Sequence, residues 1–339
     1  MRRLTTRALV LGISLALGVA AATTACGGSN ESEPASQPQA DSSATTTAAA
    51  SGAVEEVAVD GAPTAVAAGE DAVWVVLDQG DRVARLDPQS KEVVGEPIPV
   101  GNGAVGVVVA EDDVWVVSRF DNTVTRIDSS TNEVVGKPIA VGGRPMAIAT
   151  GEGSVWTFNT QDGTVTRIDA KTGKVLSTSP RVVGRAAGNA DYAGLAVGDG
   201  AVWVASPSEG SVARIDTKTN RPAGKPIQVG AGPTAVAVAD GAAWVTNLDE
   251  GTVSRIDTGS GEVVGEPIAV GSQPVSVVTD EGAVWVADQS GTVTELDPET
   301  NAPAREPVTL DGRPLSLAIG HGAVWVANPF SNTVARIGL

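Results

Sequence analysis

The chain has 339 residues, a formal net charge of -17 at neutral pH, and a 42% hydrophobic content in which aromatics make up only 3% of all residues. An acidic balance of this size repels phosphate backbones and argues against nucleic-acid binding. One cysteine and one histidine rule out an internal disulfide, a Cys-based metal site and most imidazole chemistry, while apolar residues drawn mainly from Val and Ala, with many glycines, favour strands and turns over helices.

Residues 1–7 are basic, residues 8–22 form an unbroken apolar run, and Thr23, Thr24, Ala25 and Cys26 follow. The run is too short for a stable membrane span and fits a secretory signal peptide. Small residues before a lone cysteine resemble a bacterial lipoprotein cleavage box, with Thr23 where leucine is usual. The resemblance implies a leader over residues 1–26, a lipid on Cys26, and a membrane as partner through that anchor. Ordinary signal cleavage near Ala22 or Ala25 is the alternative. Residues 27–52 mix Ser, Glu, Pro, Gln, Thr and Ala without apolar periodicity, so they read as a disordered linker.

From residue 53 to 339 the chain repeats. Trp74, Trp115, Trp156, Trp203, Trp244, Trp285 and Trp325 are spaced 41, 41, 47, 41, 41 and 40 residues apart. Around Trp244 the unit parses into strand A near residues 234–239, strand B over 242–246, strand C over 252–256 and strand D over 262–270. Alternating apolar residues between Gly, Asp and Asn turns are hairpin chemistry. Four strands per unit of about forty residues is the signature of a β-propeller. The last unit stops after strand C, at residues 333–337, and residues 54–59 match the end of a strand D. The predicted fold is therefore an all-β, seven-bladed propeller whose N-terminal strand completes blade seven and closes the ring.

Two features recur in nearly every blade and read as structural. An arginine lies eleven places after the tryptophan (Arg85, Arg126, Arg167, Arg214, Arg255, Arg336), with Glu295 in its place in blade six. An aspartate opens the C–D turn (Asp87, Asp128, Asp169, Asp216, Asp257, Asp297). Glu70, Glu111, Glu152, Asp199, Asp240, Glu281 and His321 share a slot four places before the tryptophan, which reads as a turn position rather than a ring of metal ligands.

The units Gly-Thr-Val-Thr-Arg-Ile-Asp and Gly-Lys-Val-Leu, with Ala-Val-Trp-Val, resemble the YVTN and NHL class of propeller repeats over roughly residues 54–339. The resemblance implies similarity in fold to virginiamycin B lyase and to the sensor propellers of bacterial receptor kinases, and a lipid-anchored extracytoplasmic location in an actinobacterium. A lyase of that kind relies on histidine, acidic residues and magnesium, and the single His321 falls in a turn slot on the wrong face.

Ligands of propellers usually sit where the D–A connections and B–C loops meet, so departures from the repeat on that face are the candidate binding positions. They are Arg119 and Phe120 in blade two, Phe330 in blade seven, and Tyr192 in the longer connection before blade four. A polar ring three places after the tryptophan adds Asn159, Asn247, Asp288 and Asn328, either lining the channel mouth or capping loops. No catalytic residue, metal site or cofactor is expected. The expected function is a monomeric, non-enzymatic binding or scaffold propeller for an envelope protein, peptide or glycan. The alternative is a metal-dependent lyase or lactonase-like propeller enzyme.

Overall fold

Each tryptophan lies on a strand that is apolar on both faces, because the blade it belongs to is packed between two others. In the computed structural model the described residues are 54–184, 193–280 and 282–339; Cys26, the linker and Tyr192 lie outside them. The described residues form seven antiparallel sheets of four or five strands. In blade five the strands are Pro233–Ala239, Ala242–Asn247, Thr252–Asp257 and Ile268–Ala269. Burial falls outward along this order. The first two strands are almost wholly buried, the third alternates, and Val263 and Val264 beside the fourth are exposed. The inner strands of successive blades pack on one another around the ring, and Pro63–Ala68 of blade one packs on Ser316–Gly320 of blade seven.

The outer strand is more broken than the sequence pattern predicts. Val263 bridges Ile256 and the Val264 amide donates to the Arg255 carbonyl, then pairing lapses until Ile268 and Ala269 meet Val253 and Thr252. Between them Gly265 has φ 74, a left-handed conformation that suits glycine, and Pro267 offers no amide. An interrupted outer edge of this kind resists pairing with strands of other molecules.

The turns carry the repeat chemistry. Glu152-Gly153, Asp199-Gly200, Asp240-Gly241 and His321-Gly322 have positive φ at both residues, as a type I′ hairpin requires. The C–D turn aspartates accept hydrogen bonds from amides and hydroxyls within their own turns, Asp216 from Thr219 and Asp257 from Ser260 for example. Those bonds hold the Asp87, Asp128, Asp169, Asp216, Asp257 and Asp297 carboxyls below their ordinary value.

The recurrent arginine lies over the indole of its own blade, from 4.8 Å for Arg167 on Trp156 to 5.9 Å for Arg336 on Trp325. It also reaches the C–D turn of the next blade. Arg85 donates to Asn132 Oδ1, Arg167 to the Thr217 carbonyl, Arg214 to the Thr258 carbonyl, and Arg255 to the Pro298 carbonyl. Arg126 instead forms an ion pair within its blade, with Asp113. Blade six solves the loss of its arginine differently. Arg305, on the outer strand, lies 4.8 Å over Trp285 and forms a 2.6 Å ion pair with Glu295.

Blade seven comprises Ser316–Gly320, Ala323–Asn328, Thr333–Gly338 and, from the other end of the chain, Val54–Ala58. The N-terminal strand pairs from Val54 with Ile337 to Ala58 with Thr333. Glu55 accepts from both Arg336 and Lys91, tying blade seven to blade one.

Two outcomes follow from these contacts. Deleting residues 54–59 removes the buried Val57 and Val59 and one whole ladder. At roughly 1.5–3 kcal/mol per buried valine, and about 2–4 °C per kcal/mol for a domain of this size, the melting temperature should fall by about 10 °C or more; an unchanged melting curve would contradict closure by this strand. Arg305→Gly should cost about 1–2 kcal/mol, and Glu295→Arg added to it should recover most of the loss by rebuilding the arrangement of the other blades, as read by urea unfolding.

Candidate functional site

The D–A connections and B–C loops share one face, and hydrogen bonds stitch them together. Asp121 Oδ2 accepts from the Asn102 amide at 2.7 Å, Asp81 Oδ1 from the Gly103 amide at 2.7 Å, and Glu209 Oε1 from the Gly184 amide at 2.9 Å. Much of the acid on this rim is therefore spent on backbone amides.

The polar ring proves to be part of this stitching. Asn159, Asn247, Asp288 and Asn328 are fully buried. Asn159 Nδ2 donates to the Thr164 and Thr166 hydroxyls, and Asn247 Nδ2 to those of Thr252 and Ser254. Asp288 accepts from the Gln273 and Ser290 amides, and Asn328 accepts from the Arg313 amide while donating to the Asp311 carbonyl. The close approach needs glycine in the facing connection: a Cβ on Gly142 would lie 2.5 Å from Asn159 Nδ2, and one on Gly230 2.6 Å from Asn247. These glycines were the sequence signal for a buried staple rather than an open channel lining.

The remaining described candidates stand on the surface. Phe120 is 60% exposed and Phe330 52%, whereas the third phenylalanine, Phe158, is 4% exposed. The structure adds a residue that the sequence pattern does not single out. Arg313, in the connection that enters blade seven, lies 5.2 Å over the Phe330 ring, just as Arg119 lies 4.7 Å over Phe120. The two pairs are built from different positions. In blade two both members come from the B–C loop, and Gly103 in the facing connection makes room: a Cβ there would meet the Phe120 ring at 2.5 Å. In blade seven Pro329 stands where Arg119 would be, and Arg313 stands where Gly103 would be.

Blade one lies between the two pairs and breaks the polar ring with Leu77. Its B–C loop carries Asp78, half buried. Burial raises the Asp78 carboxyl above its ordinary value of 3.8, Arg119 pulls it down and Asp81 pushes it up. The lone histidine, His321, has φ 54 in the A–B turn of blade seven, on the opposite face. No group of three or more His, Cys, Asp or Glu side chains placed to hold a metal ion occurs among the described residues.

No protein-family model and no curated protein matches the chain. Solved structures do. A streptogramin B lyase aligns with a TM-score of 0.72 at 18% identity, over 85% of this chain and 97% of that one. A catalytically inactive histidine-to-alanine form of virginiamycin B lyase from Staphylococcus aureus, with quinupristin, aligns with a TM-score of 0.71 at 16% identity, over 85% and 99%. BamB from Moraxella catarrhalis aligns with a TM-score of 0.58 at 17% identity, over 81% and 84%. The chain shares their propeller fold. At these identities the likeness extends to architecture alone.

The position of Asp78 yields a pH prediction. Its carboxyl binds a proton more tightly folded than unfolded, so ionised Asp78 costs stability above its folded pKa, and the cost disappears as pH falls below the unfolded value of 3.8. Asp78→Asn should raise the melting temperature at about pH 7, with the gain shrinking toward about pH 4. Thermal scans across that range check it, and a variant less stable at neutral pH would contradict the assignment.

Proposed function

We propose that this chain is an envelope-tethered, non-enzymatic binding propeller whose rim at blades seven, one and two holds a partner protein, peptide or glycan. The observation that carries the reading is the exposure of Phe120 and Phe330 on one face, each beneath a guanidinium. All seven tryptophans are buried. Exposed aromatic rings beside arginines are the kind of anchor that dominates protein interfaces.

The course of the chain supports a tether. The N-terminal strand starts opposite Ile337, at the face of the C–D turns, and runs toward the rim. A lipid on Cys26 followed by the spacer of residues 27–52 would thus join the propeller on the face away from the Arg–Phe pairs. A flexible spacer of this length spans on the order of 30 Å. The rim would point away from the anchoring membrane.

Fold likeness to lyases favours a second reading, a propeller enzyme. Against it, the virginiamycin B lyase form that lacks one histidine is described as catalytically inactive, and the only histidine here occupies a hairpin turn on the far face. Three measurements test the proposal together. Cys26→Ser should shift the full chain from the detergent phase to the aqueous phase on Triton X-114 partition. Phe120→Ala with Phe330→Ala should abolish crosslinked partners recovered from native membranes, with the melting temperature kept. Quinupristin incubated with the chain should keep its mass. Partner recovery equal to wild type in the double variant, or a mass change in quinupristin, would overturn the binding reading.

A further inference from the structure

We propose that the two Arg–Phe pairs are twin subsites for an acidic, partly apolar segment of a partner protein, each guanidinium taking a carboxylate and each phenyl ring packing an adjoining apolar side chain. This deepens the binding reading above and rests on it.

The charge pattern carries the argument. The sequence has 40 acidic and 23 basic residues, so an arginine should find a carboxylate easily. Arg126, Arg305 and Arg336 do, and Arg85, Arg167, Arg214 and Arg255 find amide or carbonyl oxygens instead. Arg119 and Arg313 form no ion pair among the described residues. Nearby acids are otherwise engaged. Asp121 and Asp81 hold the Asn102 and Gly103 amides. Asp78 lies within Coulombic reach of Arg119 without forming an ion pair.

Geometry agrees with the charge. Stacking uses the flat face of a guanidinium, whereas its N–H groups point outward in the plane and match a carboxylate in a two-bond fork. The Phe ring fixes the plane, so less side-chain freedom is lost when the fork is filled. The same pair is assembled twice from non-equivalent positions, with Gly103 and Pro329 as the complementary changes. A loop-packing accident would not be expected to recur with its parts exchanged. Blade two also carries unspent polar atoms beneath its pair. Where Asn159 and Asn247 bridge the hydroxyls of strand C in blades three and five, Ser118 is too short, and the Ser118, Thr123 and Thr125 hydroxyls have no protein partner.

The test uses the full chain in detergent and measures binding of three labelled probes by fluorescence anisotropy: a random copolymer of glutamate and tyrosine, poly-glutamate, and heparin. The copolymer should bind, poly-glutamate more weakly, and heparin more weakly than the copolymer. Arg119→Gln with Arg313→Gln should weaken copolymer binding by roughly tenfold or more, and Phe120→Ala with Phe330→Ala should do the same. Arg119→Lys with Arg313→Lys should fall between, because charge is kept and the fork is lost. Copolymer binding unchanged in the glutamine variant would overturn the proposal, and so would tighter binding of heparin, which would point to a sulfated glycan. If the glutamine variant still captures membrane partners while the alanine variant does not, the binding rim stands and the carboxylate chemistry falls.

Discussion

Each arginine of the repeat lies over the indole of its own blade, and those of blades one, three, four and five also reach the C–D turn of the next. That one arrangement couples the inside of a blade to the contact between blades. A buried indole contributes a large apolar area, and the guanidinium above it finds acceptors only if the neighbouring turn arrives at the right height. The turn in its turn is set by an aspartate that binds its own amides and by a left-handed residue, Asn132, Gly173, Asn220, Gly261 or Asn301. Asn132 and Asn301 do both tasks, taking the left-handed conformation and accepting from Arg85 and Arg255. The repeat length is therefore constrained from three sides: by the hairpins, by the stack and by the neighbour.

A constraint repeated seven times makes departures from it readable. The number of blades, the strand order and the closing strand were legible because each depends on local periodicity, on turn residues and on the phase at which the last repeat stops. What was not legible depends on contacts between residues distant in sequence. Glu295 looked like a lost arginine. The structure shows that Arg305 replaces it from the outer strand, at the place held by Gly95, Gly136, Gly224 and Gly265 in other blades. Both changes are visible in the sequence, but only the facing of strands C and D shows that they compensate. The polar ring was ambiguous for a related reason: a strand-end Asn or Asp has the same pattern whether it faces a channel or a neighbouring glycine, and the distances to Gly142 and Gly230 decide for the glycine.

The rim follows the same logic. Phe120 and Arg119 stood out because they are adjacent in the chain and foreign to the repeat. Phe330 stood out as an aromatic, but its guanidinium came from Arg313, seventeen residues away in another loop. Only after the fold brings those loops together do blades two and seven present the same chemical pair, with blade one between them. The pairs are then a property of the ring, not of any one loop.

Ring closure and one of the Arg–Phe pairs meet at blade seven. A propeller sealed by its own N-terminal strand places the incoming chain on the outer edge, starting at the face of the C–D turns. The Glu55 carboxylate, shared by Lys91 of blade one and Arg336 of blade seven, ties that strand to both blades. Five backbone pairs and two buried valines hold it in the sheet. The loops holding Arg313 and Phe330 lie at the far end of the same blade. The blade that the N-terminal strand completes is thus also one of the two that present an Arg–Phe pair. The Val59 amide donates to the Asn332 carbonyl at the end of the loop that carries Phe330, so the closing strand does more than complete a sheet: it also holds one side of that rim loop.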